Sequence, residues 1–598
     1  MRPTNADDAV TRRRLIAALG AGAVATAAAP KPAAAAGAAF THGVASGDPL
    51  HTSVIIWTRA QSVDGAPVSL EWQLSDSERF ATVLRRGITS TDASRDFTVK
   101  VEVTDLEPGR IYFYRFVAGT VVSPVGRTRT WPDRGTAPVN LALMSCSNFG
   151  FGYFNVYRDC AARDDIDAVV HVGDYIYEYG PATYADKAME DAGRMVEPRR
   201  EIVSLADYRQ RYATYRGDPD LQEIHRRLPF IVVWDDHEIT NDAFNAGAEN
   251  HQPAEGDYAA RKRAALRAYF EGMPIRPLSP DAAGRIYRSF EIGDLATLAM
   301  LDTRIYGRER PPSYTTDVPL VAQLTAAGAT MPVPFDTTTS PSTAKPELSA
   351  TVAGDKAKLP PGHGFMPDFD AFRRNVLNAP RSILGGEQEA WLRATLAASK
   401  ARGVPWQILG QQTLIGTLVP VDPAPLADPG RKPMVEAELL KFVPVLERNG
   451  LPLLLDTWGG GYPTAKAALL ADLKAHAANS IVLTGDSHNA WSFAFKDDTG
   501  ETLAVEFGCA SVTSPGLETY MAADPAKMTT ALKARNPDLL YCEVGSRGYT
   551  VVRLSEAAVT AEFVVVDTVK KRDFTARVDR RLTVNPRGPA GAMTVAAM

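Results

Sequence analysis

The hydrophobic rhythm changes along the chain, and the changes mark its units. Residues 40–131 carry short runs rich in β-branched and aromatic residues, at 54–58, 68–72, 98–103 and 111–116. Turn signals such as Asp64-Gly65 and Pro108-Gly109 separate them, so the runs predict strands. About 90 residues with about seven strands suit a fibronectin- or Ig-like β-sandwich. Residues 132–138 (Pro-Asp-Arg-Gly-Thr-Ala-Pro) read as a linker. From Val139 the apolar runs become nearly continuous, at 141–144, 168–172, 230–234, 296–301, 406–409 and 480–484. Such runs predict strands buried on both faces. Helix-like stretches, 154–163 among them, lie between most of them. The alternation predicts a layered α/β domain over 139–582, a sheet core with helices on both sides. Residues 309–365 are rich in Pro, Thr, Ala and Gly with little periodicity, and predict a surface insertion, a candidate lid. Residues 583–598 are expected to form a loose tail.

The first 39 residues differ from both units. Thr-Arg-Arg-Arg-Leu-Ile at 11–16 is followed by small apolar residues and an alanine-rich stretch. This is the form of a secretory signal, and the paired arginines match a twin-arginine signal. A membrane anchor helix is the alternative, but the apolar stretch is short and mostly alanine. The expected route is the twin-arginine export machinery, and the expected destination is the periplasm or the medium.

Composition narrows the classes further. The chain has 598 residues, 45% apolar, 23% charged and 8% aromatic, which excludes a disordered or fibrous protein. Its net charge is -5, and the basic residues of the signal leave the remainder more acidic still. That disfavours a nucleic-acid or other polyanion partner. No stretch of 18 apolar residues follows the signal, so no stable membrane span is expected. The four cysteines are too few for a disulfide scaffold and form no C-x-x-C pair. Cys509 and Cys542 could pair outside the cytoplasm, or both stay free.

Candidate chemistry gathers at the ends of the buried strands. Ser145-Cys146-Ser147-Asn148 follows the first and Gly173-Asp174-Tyr175-Ile176-Tyr177-Glu178 the second. Asp235-Asp236-His237-Glu238 follows the third and Gly485-Asp486-Ser487-His488 the last. Each string alone is weak; four at equivalent points, where open α/β sheets hold their ligands, are not. Carboxylate and imidazole donors suit hard or borderline cations. A thiolate beside a tyrosinate suits a trivalent ion such as Fe(III), which holds both deprotonated. Asp174 could bridge two ions spaced for in-line phosphoryl displacement, with a bridging hydroxide as nucleophile.

Taken together, these strings resemble the metallophosphoesterase superfamily, and within it the PhoD-type alkaline phosphatase/phosphodiesterase family. Phe40 to Pro49 and Trp57-Thr58-Arg59 resemble that family's leading β domain, and Leu301-Asp302-Thr303-Arg304 also matches. The resemblance implies Fe(III) with one or more Ca²⁺ ions, Mn²⁺ or Zn²⁺ being possible in the second position. It implies Cys146, Asp174 and Tyr177 on iron, with Asp174 shared, Asp236 on the second metal, and Asp486 and His488 as the last ligands. His237 would stabilise the phosphoryl oxygens or protonate the leaving group. Cys146 and Asp236 depart from the wider superfamily and agree with the PhoD branch; the insertion is less expected.

Several residues keep a second reading. Tyr177 could be a core tyrosine, Asp235 a ligand or a turn cap, and Asn241 a phosphate contact or a helix cap. Arg304 could hold phosphate bidentately or pair with a carboxylate. Cys160 and His171 read as buried and structural. The functional expectation is an exported metal-dependent phosphoesterase acting on small monoesters, diesters or both. A phospholipase-D-like diesterase and a catalytically dead surface-binding protein are the alternatives.

Overall fold

The computed structural model describes residues 38–62, 64–135, 137–276, 284–325, 329–588 and 592–597. The expected signal, apart from Ala38 and Ala39, lies outside the described residues.

Two large mixed sheets form the body. One has ten strands in the order Thr594–Ala597, Ala576–Asn585, Val559–Val566, Arg547–Leu554, Val139–Met144, Ala168–His171, Phe230–Val232, Val44–Gly47, Val54–Arg59 and Thr98–Val103. The other has seven, in the order Arg288–Ile292, Ala296–Met300, Trp406–Gly410, Ser480–Thr484, Thr502–Gly508, Ala490–Lys496 and Leu539–Glu543. Each is parallel at its centre, where the near-continuous apolar runs lie, and antiparallel toward its edges. One buried cluster joins them, with Leu143, Val170 and Val551 of the first meeting Leu298, Ile408, Leu483 and Phe507 of the second.

Helices cover the outer faces. Pro219–Arg227 and Tyr258–Gly272 pack on the first sheet through Leu221, Ile224, Ala265 and Tyr269. Gly386–Ala401 and Pro463–His476 pack on the second through Leu392, Leu396, Leu469 and Leu473. Local chemistry starts these helices where the sequence changes period. Asp218 caps Pro219–Arg227, its carboxylate accepting from the amides of Asp220 and Leu221, with proline at the first position.

Residues 40–131 supply a third sheet, Val68–Ser75, Arg85–Thr91, Ile111–Ala118, Val121–Val122 and Gly126–Arg129. It packs on Val44–Gly47, Val54–Arg59 and Thr98–Val103 through Val54, Ile56, Leu70, Tyr114 and Phe116. Those three strands belong to the ten-stranded sheet, so the second layer of this sandwich continues into the α/β body. The join is the parallel pairing of Gly47 with Phe230. A Cβ at Gly47 would lie 2.2 Å from the Pro274 carbonyl oxygen, so only glycine admits the junction.

The insertion holds small sheets of its own, Ala322–Leu324 with Thr330–Pro332, and Pro334–Asp336 with Thr343–Ala344 and His363–Phe365. The expected loose tail is a correction. Ala576–Asn585 runs past residue 583 and Thr594–Ala597 returns antiparallel along it, because backbone pairing on a sheet edge needs no apolar composition. All four cysteines are free and buried, so Cys509 and Cys542 are not joined. Among the described residues no helix is long and apolar enough to cross a membrane.

Candidate active site and metal centre

The central strands of both sheets end at one place. Beyond Val139–Met144 the chain turns at Cys146, whose φ is 60°; beyond Ala168–His171 it turns at Asp174, φ 55°. After Ser480–Thr484, Asp486 and His488 have φ 62° and 63°. Four candidate ligands thus sit in the left-handed region that non-glycine residues avoid. Such strain survives only where surrounding bonds over-determine it, and it clusters at functional sites.

The bonds that hold it are visible. Glu238 is buried and accepts the amides of Asp174 at 3.1 Å, Tyr175 at 2.5 Å and Asp235 at 2.6 Å, tying two strand ends together. The amide of Cys146 donates to the Gly173 carbonyl at 3.3 Å, and Ser514 Oγ donates to the Cys146 carbonyl at 3.1 Å.

Candidate ligand atoms fall into three groups, each within 4.8 Å of one another. They are Cys146 with Asp174 and His488, Asp174 with Asp236 and His237, and Asp235 with Asp236 and Asp486. Asp174 is common to the first two and Asp236 to the last two. Tyr177 joins the first group, its hydroxyl donating to Asp174 Oδ2 at 2.9 Å and lying 3.3 Å from His488 Nε2. His488 Nδ1 is 2.8 Å from the Pro515 carbonyl, which assigns the ring proton to Nδ1 and leaves the Nε2 lone pair facing the group.

His237 is held differently. Its Nδ1 is 2.7 Å from Glu178 Oε2, and Glu178 Oε1 also accepts from the Asn241 amide at 2.8 Å and from Asn250 at 2.9 Å. Burial by itself would lower the His237 pKa, but Glu178 and Asp174 outweigh it and hold it well above the usual imidazole value. Glu178 stays below the ordinary carboxylate value because His237 overcomes the effect of its own burial.

Arg304 lies buried among carboxylates. It bonds Asp235 and Asp486 and lies 3.5 Å from Asp456, 3.9 Å from Asp236 and 3.6 Å from Asp242. Of its two readings, the structure places it in carboxylate pairing. Asn241 Nδ2 donates to Glu249 at 2.8 Å, and the residue borders the cavity.

The donor set fits cations. Burial pushes the carboxyls of Asp174 and Asp235 well above the carboxylate range, and that of Asp486 up to about 7. It pushes the Cys146 thiol and the Tyr177 phenol up as well, and the His488 imidazole down to about 3. Only Asp236 stays below its usual range, where Arg304 and His237 overcome its burial. Asp174 Oδ1 and Asp235 Oδ2 are buried without a hydrogen-bond partner among the described residues. Arg304 and His237 together do not balance this many buried acids, and cations beside the thiol, phenol and carboxylates would favour their charged forms.

A cavity of about 310 Å³ opens on Asp174, Asp236, His237, Asp486 and His488. Tyr179, Tyr184, Trp491 and Tyr520 form its aromatic side. Some of these contributors gave little signal. Glu178 and Glu238 stood inside the quoted strings, and their acidity at buried strand ends was the available clue. Asp242, Asp456 and Tyr520 come from loops and a short helix with no periodic signal.

Comparison with known proteins places this geometry. The profile of the family described as PhoD-like phosphatase matches residues 141–563, and that of the PhoD-like phosphatase N-terminal domain matches 25–132. Alkaline phosphatase D of Bacillus subtilis (strain 168) is 31% identical over 529 residues, covering 85% of this chain and 74% of that protein. A solved structure of PhoD matches with a TM-score of 0.70 and 27% identity, over 95% of this chain and 93% of that one. The chain belongs to the PhoD-like phosphatase family and is a phosphoric ester hydrolase.

Proposed function

We propose that the chain is an exported, metal-dependent phosphoesterase that hydrolyses phosphate monoesters, diesters or both. The observation that carries this reading is the convergence of Cys146, Asp174, Tyr177, Asp236, Asp486 and His488 from separate strand ends onto overlapping donor groups. Export rests on the arginine-led signal of the first 39 residues.

Cys146, Asp174, Tyr177 and His488 would hold one ion, and Asp174 with Asp236, Asp235 and Asp486 a second. The thiol and phenol suit Fe(III), and the carboxylate-rich side suits Ca²⁺, with Mn²⁺ or Zn²⁺ as the other candidates. The ions would neutralise phosphoryl charge and lower the pKa of the attacking water.

This chain's own residues do the rest. His237, fixed at Nδ1 by Glu178, presents Nε2 to the phosphoryl group and gives a hydrogen bond or a proton to an ester oxygen. Arg304 sets the spacing of Asp235 and Asp486. Glu238 fixes the strand ends that carry Asp174 and Asp235. The tyrosines along the cavity exclude bulk water, which strengthens every charge interaction inside.

Asp174→Asn tests the reading, because it removes charge and leaves shape. Turnover of p-nitrophenyl phosphate should fall by at least about a hundredfold, with metal content reduced and the unfolding transition retained. Unchanged turnover at normal metal content would sink the assignment.

A further inference from the structure

The segment 513–520 borders two cavities. Leu517 and Tyr520 line the one that opens on the carboxylates. Pro515, Glu518 and Thr519 line a second, of about 320 Å³. Three cationic side chains from separate segments reach this second cavity. Arg431 comes from the loop before the helix Ala437–Arg448, Arg547 opens the strand Arg547–Leu554, and Lys570 follows the strand Val559–Val566. The acids in the same wall are already engaged. Glu518 Oε1 accepts from Arg547 at 2.6 Å and from the Thr519 hydroxyl at 2.9 Å, and its Oε2 is sealed from solvent. Asp567 accepts the amide of Thr575 at 2.9 Å and its hydroxyl at 3.0 Å. Asp186 pairs with Lys570 at 2.6 Å and accepts the Ala188 amide at 2.9 Å.

The cations keep unused donors. Arg431 is bonded through Nε to Asp428 at 3.1 Å, and its two Nη atoms have no hydrogen bond among the described residues. Arg547 is buried and gives Nη2 to Glu518 and Nη1 to the Ser546 carbonyl, which leaves Nε without a partner among the described residues. Burial and the neighbouring Arg547 guanidinium lower the Lys570 pKa against the pull of Asp186. Like charges held this close are stabilised by an anion between them. Guanidinium forks match tetrahedral oxyanions, and an ammonium adds a point charge. The volume lies at the lower end of the ~300–1,000 Å³ of ligand pockets, which suits a small anion with some of its water. A phosphoric ester hydrolase releases one such anion, inorganic phosphate.

We propose that this cavity is a second oxyanion site, which takes inorganic phosphate between Arg431, Arg547 and Lys570. It uses none of the candidate metal ligands. The segment 513–520 links it to them. Ser514 Oγ bonds the Cys146 carbonyl at 3.1 Å and lies 2.8 Å from the Tyr177 hydroxyl, and the Pro515 carbonyl is 2.8 Å from His488 Nδ1. Phosphate in the second cavity therefore touches the segment that orients Cys146, Tyr177 and His488. Product inhibition then has a component that more substrate does not relieve.

The test dialyses radiolabelled inorganic phosphate to equilibrium against the purified, metal-loaded protein. A site of this chemistry should remain in Asp174→Asn, whose metal centre is impaired. It should weaken at least about tenfold in Arg431→Gln and in Lys570→Met, since each removes a charged hydrogen bond. Both side chains are partly exposed, 38% and 45%, so the unfolding transition should be retained. Turnover of p-nitrophenyl phosphate in phosphate-free buffer should be unchanged in both. Sulfate should compete for the site and chloride should not.

Steady-state inhibition reads the link to the metal centre. Phosphate should lower kcat as well as raise KM in the wild type, and only raise KM in the protein carrying both Arg431→Gln and Lys570→Met. Phosphate binding that disappears entirely in Asp174→Asn would place all of it at the metal centre and overturn the inference. So would binding that neither cation variant weakens, or binding that chloride matches, which is charge screening alone. Purely competitive inhibition in the wild type would overturn the link through 513–520. A protein that binds phosphate as expected and turns over no ester would sustain the site and defeat the phosphoesterase reading.

Discussion

Glu178 governs what His237 can do. Its carboxylate 2.7 Å from Nδ1 fixes the ring orientation and holds the imidazole pKa well above its usual value. Glu178 thereby favours the protonated ring over the neutral one, so His237 keeps its proton to higher pH than it would without that carboxylate. Glu178→Gln keeps the shape and removes the charge. We expect kcat to fall about 10- to 100-fold, the usual effect of losing a supporting partner. We also expect the alkaline limb of the pH–kcat/KM profile to move to lower pH. A variant with lower activity but an unmoved limb would show that Glu178 only supports the fold. At this scale the sequence was a good guide to residue type and a poor guide to partnership. It placed Cys146, Asp174, Asp236 and His488 at strand ends, and they meet. It left Arg304 and Asp235 ambiguous, because which carboxylate faces a guanidinium depends on Trp406–Gly410 and Ser480–Thr484, which bring Asp486 beside them.

The elements matter through the turns that end them. At Gly173, φ is +105°, and an added Cβ would lie 2.3 Å from the Asp235 amide nitrogen. The turn therefore permits two strand ends to approach closely enough to share Glu238. Gly173→Ala should cost roughly 2–4 kcal/mol through overpacking and backbone strain. It should also reduce metal retention, because Asp174 moves with its turn. Equilibrium unfolding in denaturant with metal analysis of the same preparation checks both, and wild-type stability with full metal would contradict it. Buried parallel strands were legible as apolar runs, since their period needs no partner information. The sharing of Val44–Gly47 with the large sheet was not, because it depends on one pairing across nearly two hundred residues. The paired tail was missed for the same reason: an edge strand gains backbone hydrogen bonds, not burial.

At the scale of the whole molecule, two buried histidines far from the ligand groups favour neutral pH over acid. His171 is buried at 2.9 Å from the Tyr157 hydroxyl, and burial lowers its pKa to about 3. His225 stacks on Phe230 with ring centroids 3.8 Å apart, and burial, reinforced by Arg216, holds it well below 6.5. Both are neutral in the fold and become charged in the unfolded chain below pH 6.5. Their stabilisation is complete above that value and is lost as pH falls below 6.5, for His171 down to about 3. Each contributes a loss of about 1.4 kcal/mol per pH unit in that window, so the pair gives about 2.7. Only the difference between variant and wild type isolates this contribution: His225→Gln should flatten the pH dependence of the unfolding free energy between pH 7 and pH 5 by about one proton. An identical slope in the variant would remove His225 from the account.

The central claim is that a thiol, a phenol, carboxylates and an imidazole from separate strands form one metal centre. Metal content, read with visible absorbance on protein purified without chelator, tests it most directly. The account predicts iron with calcium and a charge-transfer colour that Cys146→Ala or Tyr177→Phe shifts or abolishes. Colourless protein with zinc or manganese alone would contradict the roles given to Cys146 and Tyr177, and full activity without any bound metal would contradict the centre itself.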